Sequence, residues 1–193
     1  MFRLKKIKLI AGVDEVGRGC LAGPVVSCAV IFKGKFKKSE IKDSKTLTFK
    51  KRAELSKYIK KNSYYGIGLA SVNEIEKYNI LGATLISMER AINKLSVKPH
   101  KILIDGLFAP KNITNCKTII RGDKKFKCIS AASILAKVFR DKLMIKLSKK
   151  YKNYNFEHNF GYGTKKHLSG IKKFGITTIH RKTFQPIHNI LMK

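Results

Sequence analysis

The chain has 193 residues, which suits one ordinary domain with room for a small appendage. Hydrophobic residues make up 44% of it, so a core is available and intrinsic disorder is excluded. Against 12 acidic residues stand 42 Lys and Arg, a net charge of +30 that favours a polyanionic partner, although an AT-rich coding sequence would also raise the lysine count. Charge alone separates neither DNA from RNA nor an enzyme from a packaging protein.

The basic start Met1 to Lys6 leads into an apolar stretch broken by Lys8 and then by Asp14 and Glu15. No signal-peptide hydrophobic run or membrane span forms, so a cytoplasmic protein is expected. Leu9 to Val13 reads as a strand ending in Asp14 and Glu15, and Gly17, Gly19 and Gly23-Pro24 follow as turn formers. Val25 to Phe32 is a second strand. Thr48 caps a helix in which Leu55, Tyr58 and Ile59 form one stripe. Tyr64 to Val72 is a third strand, and Asn73 to Ser96 a helix broken near Leu81-Gly82. Lys101 to Ile104 is a short buried strand that delivers Asp105 to its end, and Lys117 to Ile120 is another. A long helix runs from Ile129 to about Tyr151 with Ala132, Leu135, Ala136, Phe139 and Leu143 inward, and a further helix spans Thr164 to Phe174. Cys20, Cys28, Cys116 and Cys128 form no C-x-x-C pair and read as free thiols in a reducing compartment. The alternation of strands and helices predicts an α/β domain around a mixed sheet, with the last forty or so residues as a helical lobe.

In so cationic a chain, adjacent acids at a strand end are informative. Asp14 and Asp105 both follow buried apolar strands, where an uncompensated charge is costly and where active-site groups emerge in open α/β sheets. Converging carboxylates supply the hard oxygens that hold Mg²⁺ or Mn²⁺ for phosphodiester cleavage. Glu15 is the difficulty, because successive strand residues face opposite ways. Either the strand ends between Asp14 and Glu15, as Gly17 suggests, or Glu15 contributes its carbonyl or its longer reach. A salt-bridge role for these acids is the plainer alternative.

The run Gly12-Val13-Asp14-Glu15-Val16-Gly17-Arg18-Gly19-Cys20-Leu21-Ala22-Gly23-Pro24-Val25-Val26 resembles the N-terminal signature of the ribonuclease HII family. The resemblance extends through Lys42-Asp43-Ser44-Lys45, Ile104-Asp105-Gly106, Gly122-Asp123, Ala131-Ala132-Ser133-Ile134-Leu135-Ala136-Lys137, Gly161-Tyr162-Gly163-Thr164 and His180-Arg181-Lys182-Thr183-Phe184. It implies a ribonuclease H-like fold, with a mixed central sheet flanked by helices over residues 1–152 and a small helical substrate-contacting lobe over 153–193. It also implies an endonuclease that acts on RNA–DNA hybrids; a monomer is expected separately, for a compact domain without an obvious heptad seam. Such an enzyme would incise 5′ of ribonucleotides embedded in duplex DNA by two-metal catalysis with Mn²⁺ or Mg²⁺, in ribonucleotide excision repair. By position the metal-holding acids are Asp14, Glu15, Asp105 and Asp123, with Asp141 as rival for the fourth place. Asp141 lies well inside a helix among Lys137, Arg140 and Lys142, which favours a structural ion pair for it.

Glycines allow close backbone approach to a ligand. The resemblance implies that Gly17, Arg18 and Gly19 sense the ribose 2′-hydroxyl. Tyr162, between two glycines in a basic segment, is a candidate stacking platform, and the resemblance implies that it packs on the deoxyribose following the ribonucleotide. Ser44, Lys45, Lys165 and Lys166 are candidate phosphate contacts. Cys20 stands where the family often has Pro, and Phe160 replaces a frequent polar residue. Only a short segment precedes Asp14, which leaves no room for the added domain of the sister ribonuclease HIII class. The rivals are a non-catalytic RNA-binding protein and another metal nuclease of the same superfold, such as a junction resolvase.

Overall fold

The computed structural model describes residues 9–34, 41 and 48–192. Five strands form one mixed sheet: β1 (Ile10–Val16), β2 (Val25–Phe32), β3 (Ser63–Ala70), β4 (Lys101–Asp105) and β5 (Cys116–Ile119), in the order β3-β2-β1-β4-β5. β1 pairs antiparallel with β2, as β2 does with β3, whereas β4 lies parallel to both β1 and β5. The apolar run of β2 is buried on both faces, as a covered central strand requires. On one side Cys28 and Val30 pack against Ala131, Ala132, Leu135 and Ala136 of a long helix, α4 (Lys127–Ser148). On the other, Ala11, Val13, Ala29 and Ile31 meet Met88, Ala91 and Ile92 of α2 (Val72–Asn93).

Helix α1 (Phe49–Lys61) starts where the sequence places it, with the Thr48 side chain accepting from the Lys51 amide. Helix α2 opens on a capping box of Ser71 and Glu74. Its break lies at Asn79 (φ 57°, ψ 176°) and not at Leu81-Gly82. Asn tolerates left-handed φ, and its Oδ1 accepts from the amides of Leu81 and Gly82, so it recaps the second half of the helix. The inward face of α4 also differs from its apolar periodicity: Phe139 and Leu143 are half-buried, while Arg140 and Asp141 are fully buried. Periodicity assigns charged residues to solvent by default and does not register charges paired inside the protein.

After the short helix α3 (Gly122–Lys125) and α4, the chain forms a 3-10 turn at Lys152–Tyr154 and helices α5 (Phe156–Asn159), α6 (Lys165–Phe174) and α7 (Ile187–Leu191). Tyr154, Phe156, Ile171 and Ile187 cluster with Met144 of α4 and with Leu21 and Ala22 of the β1–β2 connection. This terminal segment therefore packs directly on the loop that follows Asp14 and Glu15.

Helix α4 crosses β1 so closely that a methyl at Gly12 would collide with the backbone of Cys128 and Ile129. Backbone on both sides leaves nothing flexible to yield. Gly12→Ala is expected to cost about 3 kcal/mol of unfolding free energy, read as a lowered midpoint in urea with an unchanged slope.

Candidate active site

Register decides which side chains meet. Val13 of β1 lies opposite Ile104 of β4, and both side chains enter the core on the α2 side. The pleat alternates, so the next residues, Asp14 and Asp105, turn toward the α4 side at the same end of two parallel strands. They share a cleft of about 300 Å³ with Glu15, Gly17, Arg18, Gly19, Arg52, Ser133, Lys137 and Tyr162. Asp14 is only 6% exposed, and its Oδ1 accepts from the Glu15 amide at 2.7 Å. Asp105 Oδ1 accepts from the Gly122 amide at 2.7 Å.

β1 does not end between Asp14 and Glu15; it continues to Val16 with Glu15 opposite Ser27. Glu15 still lines the cleft, where its Oε1 lies 3.3 Å from an Arg18 guanidinium nitrogen. A strand end is therefore not what brings Glu15 to the cleft.

Electrostatics mark the corner as strained. Burial lifts the Asp14 carboxyl well above its ordinary 3.8, repulsion from Glu15 and Asp105 adds to the rise, and a hydrogen bond with Ser133 opposes it. Burial also raises Glu15, against the pull of Arg18. Among the described residues no group of three or more His, Cys, Asp or Glu side chains is gathered closely enough to be a ready-made metal site. The acids are the wall of a cleft.

Asp123 does not line that cleft. It is buried, follows the Gly122 amide that holds Asp105, and accepts from the Lys124 amide at 3.0 Å. Asp141 is committed elsewhere, to Lys137 at 2.7 Å and Arg52 at 3.6 Å. Ser44 and Lys45 lie outside the described residues. Tyr162 stands at the cleft rim, 40% exposed, with the Lys137 ammonium 5.8 Å from its ring centre. Burial of its hydroxyl, with Cys20 beside it, pushes the phenol up to about 12, so it stays neutral at physiological pH.

A family model for ribonuclease HII matches residues 11–187 of this chain. The chain belongs to the ribonuclease HII family. It is 58% identical over 187 residues to the ribonuclease HII of Pelagibacter ubique, covering 96% of this chain and 100% of that protein. To the Coxiella burnetii ribonuclease HII it is 49% identical over 183 residues, covering 94% and 91%. The crystal structure of the ribonuclease H2 from Pyrococcus horikoshii superposes with a TM-score of 0.77 at 28% identity, over 94% of this chain and 96% of that one. The ribonuclease H-like fold follows. So does the activity class: a divalent-metal-dependent ribonuclease H that cleaves RNA endonucleolytically in RNA–DNA hybrids.

Two buried arginines, not singled out from the sequence as site residues, shape the loop after β1. Arg140 of α4 donates to the carbonyls of Pro24 (2.9 Å), Phe160 (2.8 Å) and Ala22 (3.0 Å). Its side chain fills the space a Cβ on Gly17 (φ 93°) would need, so both φ and volume demand glycine there. Arg181 donates to the carbonyls of Gly17 (2.7 Å), Arg18 (2.8 Å) and Gly23 (2.8 Å). Ser133 and Lys137 also went unremarked as cleft residues. Their i, i+4 spacing, continued by Asp141, places them along one face of α4 and was the available signal.

The raised Asp14 carboxyl has a consequence for stability. The folded state holds a proton on it up to a higher pH than the unfolded chain does, so stability falls as pH rises above 3.8 toward the folded value. In metal-free protein Asp14→Asn is therefore expected to raise Tm at pH 7 by a few degrees. The gain should vanish near pH 3, where the carboxyl is protonated in both states; a calorimetric series across pH checks it.

Proposed function

We propose that this enzyme incises 5′ of a ribonucleotide embedded in duplex DNA, as well as within longer hybrids, leaving 3′-hydroxyl and 5′-phosphate ends. One observation carries the reading: the buried Asp14, the half-buried Glu15 and Asp105, a glycine loop and an exposed tyrosine line a single cleft.

The acids fit a hard divalent cation. Asp14, Glu15 and Asp105 offer carboxylate oxygens, and burial, with repulsion between the acids added, raises the free energy of the ionised forms of Asp14 and Glu15, which a cation would offset. Asp123, one residue past the amide on Asp105, is the fourth residue we assign to this role. When bound, a pair of Mg²⁺ or Mn²⁺ ions would supply neutralisation of the scissile phosphate and activation of water.

Other steps belong to the chain itself. Gly17 and Arg18 carbonyls already accept from Arg181, so we assign recognition of the 2′-hydroxyl to the loop's amide donors and the Arg18 side chain. Tyr162, neutral and solvent-facing, would pack on the following deoxyribose, so that RNA is read on one side and DNA on the other. Lys137 and Arg52 at the cleft wall, in a chain of net charge +30, favour approach of the phosphate backbone. The same reading makes the enzyme a cytoplasmic monomer that removes misincorporated ribonucleotides. Its four free thiols suit a reducing compartment, and among the described residues no helix is long and apolar enough to cross a membrane.

The test is a labelled DNA duplex carrying one ribonucleotide, with Mg²⁺ or Mn²⁺, beside an all-DNA control. Wild-type protein should cut only the first, 5′ of the ribonucleotide. Asp14→Asn and Asp105→Asn should each lower kcat by about a thousandfold while duplex binding persists. Cleavage of the control would favour a resolvase-like nuclease, and binding without cleavage an RNA-binding protein.

Asp123→Asn is expected to reduce kcat far more than Tm, and Asp141→Asn the reverse. Paired kinetics and melting curves decide between them, and the opposite pattern would move the fourth acid to Asp141.

A further inference from the structure

The two features that read the substrate come from distant parts of the chain, yet both are held by neighbouring residues. Arg181 grips the loop: beyond its bonds to the Gly17 and Arg18 carbonyls, its own amide donates to the Leu21 carbonyl at 2.9 Å. His180 reaches the other way. Its Nε2 lies 3.0 Å from His167 Nε2, and His167 Nδ1 lies 2.9 Å from the Tyr162 carbonyl.

The proton positions in this chain of contacts follow from the partners at its ends. The Thr177 amide can only donate, and it points at His180 Nδ1 from 2.9 Å, so that nitrogen accepts. Neutral His180 then carries its proton on Nε2 and donates it to His167 Nε2. His167 in turn holds its proton on Nδ1, the nitrogen facing a carbonyl that can only accept. Every ring nitrogen is satisfied when both rings are neutral, and an added proton on either ring would set two N–H groups against each other. Tyr154 and Phe156 pack around both rings, with ring centres 4.9 and 5.8 Å from His180 and 6.2 and 5.1 Å from His167. Burial lowers both imidazoles, and His180 falls to about 4 with His167 adding to the shift.

We propose that His180 and Arg181 are positioning residues that together fix the separation between the Gly17–Gly19 loop and Tyr162, and thereby set the preference for a ribonucleotide followed by a deoxyribonucleotide. This rests on the reading of Tyr162 as a sugar contact. Both side chains are buried, 1% and 0% exposed, so they act through the groups they hold and not by contact with substrate. An Arg fork with donors in fixed directions suits carbonyls of one loop, and Lys in its place keeps the charge but loses the fork. The histidine pair acts as a strut of set length and direction, because its donor and acceptor order is dictated at both ends.

The experiment measures KM and kcat on a DNA duplex with a single ribonucleotide. The variants are His180→Ala, His180→Gln, Arg181→Lys and Tyr162→Ala, with His180→Ala also combined with Tyr162→Ala. Tyr162→Ala should raise KM about tenfold; no change there would overturn the sugar-contact reading itself. Given that effect, His180→Ala and Arg181→Lys should raise KM to a similar extent with kcat within about twofold. His180→Gln should recover most of the loss. The double variant should be no worse than Tyr162→Ala alone, because residues that act through one another are not additive. Unchanged KM in His180→Ala, or full additivity in the double variant, refutes the positioning role. Nitrogen-15 spectra of wild-type imidazoles test it without any substitution. At pH 7 His180 should be protonated on Nε2 alone and His167 on Nδ1 alone; the opposite tautomers, or a charged ring, would also refute it.

Discussion

Parallel pairing of β1 with β4 forces two carboxylates into one buried corner, and most of the active end of the molecule can be understood as a response to that. With Val13 opposite Ile104 the register leaves Asp14 and Asp105 side by side, where each resists the other's charge. The chain has cations in abundance nearby, yet it does not spend them on Asp14. Lys137 and Arg52 both border the cleft, and both are drawn to Asp141, which is fully buried behind them. Asp141 thus offsets part of the positive charge that Lys137 and Arg52 bring to the cleft wall. Asp14 is met by hydrogen-bond donors of little net charge, the Glu15 amide and the Ser133 side chain, and Asp105 accepts from the Gly122 amide.

A second theme is that the loop after β1 has little regular structure of its own and borrows its shape from two guanidinium groups. A turn rich in glycine leaves carbonyls without ladder partners, and buried carbonyls must be satisfied. Arg140 and Arg181 take up several of them from opposite sides, one from a core helix and one from the terminal segment. Burial lowers Arg181 to about 10, which still leaves it charged in any cell. The arrangement replaces a lattice of backbone pairs by two rigid forks, with the loop's conformational entropy removed by long-range contacts.

Much of this was legible in the sequence, because the strands carry short-range signals. β-branched runs and the turn formers Gly17, Gly19 and Gly23 locate β1 and β2, and the Thr48 cap locates α1. The two acids at strand ends could be named for the same reason, and their shared cleft follows from register. What could not be read are interactions whose partners lie far apart. Arg181 stands in a stretch that resembles the family, but its hold on Gly17, 164 residues away, shows in no local pattern. Arg140 and Asp141 interrupt the apolar face of α4, and nothing in a periodic pattern tells a paired interior charge from a solvated one. Asn79 mimics a helix interior because its kink depends on a side-chain cap and not on a Gly or Pro.

That long closure bears on how the enzyme comes into being. The strands that hold Asp14 and Asp105 can pair once the first hundred or so residues exist, but the loop beside them lacks its fork until position 181 has been made. Contacts of such high sequence separation form late because the intervening chain must first be ordered. A nascent or truncated chain that stops short of Arg181 therefore carries the acids without the fork that shapes the loop beside them.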